Sequence, residues 1–205
     1  MIGIISLGLS NITSVRNAID SLKFKSFLID APSQIKYAEK ILLPGVGSFN
    51  EAMSRLQESG LDQAIKDAAA NGTPIMGICL GMQLLADKGS EGAGGTVEVK
   101  GLGLIPGVIK KIEKKNIKLP HMGWNTLHLQ QRDEIVTEKF NNMDYYFIHS
   151  FEFVVNNNEN LLATVEYGGG IAAIVRRDNV IGCQFHPEKS QRAGLELLKS
   201  FITNA

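Results

Sequence analysis

Through the first eighty residues the apolar positions switch repeatedly between two periods. Short runs rich in β-branched and other apolar residues at 2–7, 26–29, 40–43 and 74–78 read as strands. Between them the spacing becomes helical. Ile12, Val15, Ala18, Ile19 and Leu22 share one stripe of a helix over 11–23, with Asn11 as its N-cap. A second helical stretch starts near Phe49, breaks near Gly60 and resumes to about Ala70, where Asn71-Gly72 stops it. The third strand is expected to end at Pro44-Gly45, and the fourth runs straight into Cys79. Strands and helices taking turns in this way predict a parallel sheet covered by helices on both faces.

The second half has a different texture. Strand-like runs dominate from Thr96 to Phe185, at 104–112, 126–130, 145–148, 161–166, 171–175 and 180–185. Arg177-Asp178-Asn179 joins the last two as a tight turn, and Leu195, Leu198 and Phe201 mark a closing helix over 191–202. The small, glycine-rich stretch 87–101 reads as a surface loop. With no repeat or linker in view, the expectation is one α/β domain over 1–205. It would be three-layered, with a mixed, mostly parallel sheet, helices on both faces and antiparallel strands added in the C-terminal half.

Composition narrows the partners. Apolar residues make up 44% and charged residues 20%, the proportions of an ordinary globular domain. Lys plus Arg equals Asp plus Glu at 21 each, so no net field would recruit nucleic acid or an anionic membrane. No apolar run approaches the roughly 20 residues that span a bilayer. Met1 to Ile5 carries neither the basic stretch nor the long apolar core of a signal peptide, so residence in the cytoplasm is expected. Cys79 and Cys183 would then be free thiols. Together with His121, His128, His149 and His186 they show no metal-ligand spacing, so neither a metal nor a cofactor is expected.

Three stretches carry candidate chemistry. Gly77-Ile78-Cys79-Leu80-Gly81 sits between an apolar strand and a helix, the setting of a nucleophile elbow: glycines permit the tight turn and the strand end lifts the sulfur clear. The helix that follows points free N–H groups at the site and favours a thiolate. A thiol nucleophile needs a base, and the base needs an orienting group. His186-Pro187-Glu188 offers both, because residues i and i+2 of an extended segment share a side and Pro187 keeps the segment extended. Pro44-Gly45-Val46-Gly47-Ser48-Phe49 follows a strand at the carboxyl edge of the sheet, where ligands bind. Its backbone N–H groups, with that of Leu80, could face an oxyanion. It lacks the Lys and Ser/Thr of a phosphate-binding loop.

Taken together, Gly77–Gln83 and Phe185–Ser190 resemble the class I, or triad, glutamine amidotransferases. Asn11–Ile19, Pro44–Phe49, Pro120–Asn125 and Phe147–Phe151 are most similar to one branch of that family, the glutaminase subunits of imidazole glycerol phosphate synthase. The resemblance runs in matching order along essentially the whole chain. It implies the family's three-layer fold and hydrolysis of L-glutamine through a thioester. Cys79 would be the nucleophile, His186 the base and later acid, and Glu188 its orienting partner. Gly45, Val46, Gly47 and Leu80 would form the oxyanion wall. Gln83, Ser150 and Phe151 would hold the amino-acid end of the substrate.

The same resemblance implies a heterodimer with a cyclase subunit that consumes the ammonia, met through Trp124, Asn125 and Lys189. The 44–47 loop would rearrange before its amide faces the oxyanion, which would tie turnover to the partner. A cyclase barrel needs about 250 residues of its own, so that activity is expected on a second chain. Two departures stand out: Phe151 replaces the family's frequent Tyr, and Ser6-Leu7 replaces its usual Asp-Tyr. The glutaminase subunit of another ammonia-using synthase, or a freestanding γ-glutamyl cysteine hydrolase, stays open at this point. A non-catalytic binding module would be expected to have lost part of the triad, and all three residue types are present. The lysines at 110, 111, 114, 115 and 118 read as a solvated strand and turn. Cys183 reads as a buried, unreactive strand thiol, and His149 as a residue just behind the site.

Overall fold

A computed structural model describes residues 1–6, 8, 12–92, 98–114 and 117–205. Leu7, the proposed cap Asn11, Lys115 and the middle of the 87–101 stretch lie outside the described residues. The N-terminal elements follow the alternation read above: β1 (Ile2–Ile5), α1 (Ile12–Ser21), β2 (Ser26–Ile29), β3 (Lys40–Gly45), α2 (Phe49–Ser59), α3 (Leu61–Ala70), β4 (Ile75–Cys79) and the short α4 (Leu80–Leu84). Gly60, at φ 72°, both ends α2 and opens α3, which is why the helical pattern breaks there. Ser48 caps α2 by accepting from the Glu51 N–H.

The second half supplies β5 (Lys88–Gly89), β6 (Val99–Lys100), β7 (Gly107–Lys111), β8 (His121–Thr126), β9 (His128–Leu129), β10 (Asp144–His149), β11 (Phe151–Val155), β12 (Leu161–Glu166), β13 (Gly170–Arg177), β14 (Val180–Cys183) and α5 (Gln191–Asn204). The main sheet has the order β2-β1-β3-β4-β14-β13-β12-β9. Its β2-β1-β3-β4-β14 portion is parallel and the rest antiparallel. A ribbon of β10 and β8 and a small sheet β11-β7-β5-β6 complete the described strands.

Side-chain alternation on the central strands divides the apolar interior in two. Ile2, Ile4, Leu42, Met76 and Ile78 point to a core shared with α1, α5 and the ribbon's Tyr145 and Phe147. Ile5, Ile41, Leu43 and Ile75 point to a second core with α2, α3, α4 and the small sheet's Ile109 and Phe153. The three-layer expectation holds, with helices on both faces. Each fully buried Ile or Leu in these layers contributes about 1.5–3 kcal/mol relative to exposure.

Several boundaries differ from the expectation. β3 continues through Pro44 and Gly45, pairing Gly45 with Cys79, because its ladder to β1 has already ended at Leu42 and a proline is tolerated on an unpaired side. The 87–101 stretch is not wholly loop, since β5 and β6 pair at its ends. In place of one strand at 126–130 there are two, β8 and β9, and β8 starts at His121. Its pattern is inverted, with His121 facing inward and Met122 and Trp124 outward, so the apolar alternation carries the wrong phase. The strand expected at 145–148 lengthens to 144–149, and β11 was not anticipated.

Candidate active site

The elbow forms where β4 meets α4. Cys79 adopts φ 54°, ψ −109°, a conformation that turns its side chain out of the strand's alternation. Met76 and Ile78 face the first core and Ile75 the second, yet Cys79 joins the first. The flanking glycines are required by contact. A Cβ on Gly77 would lie 2.5 Å from the Gly81 carbonyl oxygen, and one on Gly81 would lie 1.6 Å from that of Leu43. Cys79 is 7% exposed; its sulfur lies 3.8 Å from Gln184 Nε2 and 3.9 Å from the Ile148 carbonyl.

A cavity of about 280 Å³ opens over the sulfur. Its wall includes Val46, Gly47, Cys79, Leu80, Gln83, Ser150, Phe151 and His186, all singled out in the sequence. Gly45 stands behind that wall as the strand partner of Cys79. Glu188 also lies behind it, with Oε1 2.8 Å from His186 Nδ1 and both side chains almost fully buried. Nδ1–H therefore donates to the carboxylate, and Nε2, buried and without a hydrogen-bond partner among the described residues, is left for the sulfur. Burial opposes a charge on His186, but Cys79 and Glu188 outweigh it and raise the imidazole pKa to about 10.

Ser190 anchors this turn. Its Oγ donates to the His186 carbonyl at 2.6 Å and accepts from the Tyr146 N–H at 3.0 Å, while the His186 N–H donates to the Tyr146 carbonyl. The base is thus tied by its main chain to β10.

Other residues complete the wall. Glu91, Pro120 and Ile148, not singled out in the sequence, line the cavity, and so does His149, which was expected just behind it. Burial holds the Glu91 carboxyl above its usual range, against the opposing effect of the Phe49 N–H. A lone acid inside a stretch read as surface loop gave no signal. Gln184, fully buried, accepts at Oε1 from Gln83 Nε2 at 3.1 Å; its two-residue offset from His186 could have revealed it. Cys183 is buried, and burial, with Glu188 and Cys79 nearby, pushes its thiol well up. Among the described residues no group of three or more His, Cys, Asp or Glu could hold a metal ion, and no helix is long and apolar enough to cross a membrane.

Beside the cavity mouth the outer face of the ribbon is apolar. Met122 is 59% exposed, Trp124 49% and Ile148 37%. Trp124 packs edge-on against Tyr146, and Lys189 lies over the same ring. Asn125 points the other way, its amide engaged with His121 and the Glu166 carbonyl.

A family model for glutamine amidotransferase class-I matches residues 4–205. The chain belongs to that family. This amidotransferase is 44% identical over 201 residues to "Imidazole glycerol phosphate synthase subunit HisH" of Oceanobacillus iheyensis, covering 98% of each chain. The protein of that name from Moorella thermoacetica is 42% identical over 200 residues, covering 98% of this chain and 93% of the relative. Among solved structures, "Structure of PurLQS from Thermotoga maritima" aligns with a TM-score of 0.77 at 20% identity, over 98% of this chain and 96% of that one. A "Crystal structure of glutamine amidotransferase" aligns at 0.76 and 18%, over 98% and 99%. Both share the fold.

Proposed function

We propose that this chain is the glutaminase subunit of imidazole glycerol phosphate synthase, hydrolysing L-glutamine on Cys79 and passing ammonia to a cyclase subunit in histidine biosynthesis. The observation that carries the reading is the meeting of Cys79 and His186, 107 positions apart in the sequence, on one cavity wall with Glu188 bonded behind the imidazole. Near-full-length similarity to relatives bearing the subunit's name supports the choice of partner.

The geometry supports the following steps. With its proton held by His186, the sulfur attacks the side-chain carbonyl carbon of glutamine. The N–H groups of Leu80, in the first turn of α4, and of Gly47 take the oxyanion's charge. The C–N bond breaks as the imidazolium gives its proton to the departing nitrogen, leaving a γ-glutamyl thioester and ammonia. Water then adds to the thioester and gives a proton to the neutral imidazole, and glutamate leaves as the sulfur is expelled. Gln83 donates its amide hydrogens to Phe151 and Gln184, which leaves its carbonyl oxygen for the substrate's ammonium. Glu91, a half-buried acid on the same wall whose charge burial disfavours, would regain that charge by pairing with the ammonium. Ser150 and Phe151 bound the amino-acid end.

The apolar ribbon face with Met122, Trp124, Tyr146 and Ile148, rimmed by Lys189, is the docking surface for the cyclase, and the complex is a heterodimer in the cytoplasm. Asn125 belongs to the strand behind that face. The 44–47 loop, which carries Gly47 at φ 105°, couples docking to turnover. An electrophilic glutamine analogue should label Cys79 and not Cys183, and Cys79→Ala should lower glutamine hydrolysis by about 10⁴-fold or more. Labelling at Cys183, or equal glutaminase rates with and without the nucleotide-loaded cyclase, would sink the assignment.

A further inference from the structure

Behind the ribbon's apolar face, three side chains the mechanism does not use are joined in a line. Nδ1 of His149 lies 2.7 Å from the Phe151 carbonyl, which can only accept, so the proton sits on Nδ1. Burial, reinforced by His121 and His186 and opposed by that carbonyl, lowers the His149 pKa to about 4. The ring is neutral and its Nε2 is bare. That nitrogen lies 3.0 Å from Nδ1 of His121, which must therefore donate. Burial also brings the His121 pKa to about 4, so its own Nε2 is bare and accepts from Asn125 Nδ2 at 3.1 Å. Asn125 cannot flip: its Oδ1 accepts from the Thr126 N–H at 2.8 Å, and Nδ2 donates as well to the Glu166 carbonyl at 3.0 Å.

A single proton arrangement satisfies every member, and it runs one way. The His121 ring is held flat between Tyr167, at 3.9 Å, and Phe147, at 4.8 Å. At the other end the Phe151 carbonyl also accepts from Gln83 Nε2 at 3.3 Å, and Gln83 bonds Gln184 beside the sulfur.

We propose that Asn125, His121 and His149 are positioning residues: a directional hydrogen-bond relay that fixes the Phe151 carbonyl, and through it the Gln83 carboxamide, so that glutamine affinity depends on the placement of β8. The inference rests on the reading of this cavity as the glutamine site. Buried polar chains of this kind hold one geometry when every member is satisfied and lose it when one member is reversed.

The full chain offers two ways to break the relay. Asn125→Asp replaces the donor facing His121 Nε2 with an acceptor. His121→Phe keeps the aromatic stack and removes both hydrogen bonds. Each should raise KM for glutamine about tenfold, the effect of one lost buried hydrogen bond, and change kcat by no more than about twofold. Because both variants break the same chain, the double variant should cost no more than the worse single one. Nitrogen-15 imidazole spectra of the unmodified protein should show Nδ1 protonated and Nε2 bare in both His121 and His149. In Asn125→Asp, His121 should gain a proton on Nε2. A proton on either Nε2 in the unmodified protein, or unchanged KM in a folded variant, overturns the relay. The spectrum decides the matter even if both variants fail to fold. Labelling of Cys79 by the electrophilic glutamine analogue separates the two readings: labelling with unchanged KM removes the relay alone, whereas no labelling removes the pocket assignment.

Discussion

At the scale of single residues the histidines act on stability in opposite directions. His186 has its pKa raised to about 10 from an ordinary 6.5, so the folded state binds its proton more tightly than the unfolded one. Its contribution is complete below about pH 6.5 and is lost as pH rises toward 10. Burial lowers His121 and His149 to about 4, reinforced at His149 by His121 and His186, so their contribution is complete above pH 6.5 and is lost as pH falls toward 4. Denaturant titrations should show unfolding free energy rising from pH 4 to 6.5 and declining from 6.5 to 10. Glu188→Gln should shrink only the alkaline limb, and His121→Phe only the acid limb. A profile flat across both windows would contradict these assignments. The sequence permits the Cys79–His186–Glu188 part of this picture, although Pro187–Lys189 forms a 3-10 turn and not the extended segment expected, and the turn still brings the Glu188 carboxylate to the imidazole. The sequence hides the His121–His149 pair, whose members lie 28 residues apart on separate strands with no chemical neighbour beside either.

At the scale of elements, the strand–turn–helix elbow was legible because its glycines answer to contacts that any such turn must make. Gly81→Ala would drive a Cβ into the Leu43 carbonyl, whose strand cannot retreat from the sheet centre. A loss of about 3 kcal/mol is expected in urea unfolding, together with loss of glutaminase activity. A variant with unchanged midpoint would mean that α4 can slide away from β3. β1, β3 and β4 were legible for a similar reason: buried on both faces, they are almost continuously apolar. β8 was not, because its inward positions carry hydrogen-bonded histidine and asparagine and its outward ones methionine and tryptophan. Polarity there tracks what each face touches, and a rule built on water outside and oil inside misreads it.

At the scale of the molecule, the exposed apolar ribbon is the face proposed for docking. Met122 and Trp124 contribute little to the isolated fold, so Trp124→Ala should leave the melting temperature nearly unchanged, within about 0.5 kcal/mol in stability. The same change should weaken association with the cyclase subunit by about 2 kcal/mol, measured by titration calorimetry. Unaltered affinity would move the docking surface elsewhere. The predicted architecture, one sheet between two helical layers, emerged because each layer repeats its periodicity many times. Of the small sheet only β7 was foreshadowed, by the strand-like run at 104–112; β5 and β6, of two residues each, repeat nothing often enough to be read, and β11 was missed.

The backbone at Cys79 carries one more implication. An L side chain at φ 54°, ψ −109° crowds its own main chain, at a cost of about 1–3 kcal/mol. Glycine there would be at ease, and its extra freedom when unfolded takes back only about 0.5–1 kcal/mol. Cys79→Gly should therefore outlast Cys79→Ala in a melting experiment, although both lack the proposed nucleophile. The sturdier chain would be the idle one, and the sulfur keeps its post in spite of the local backbone.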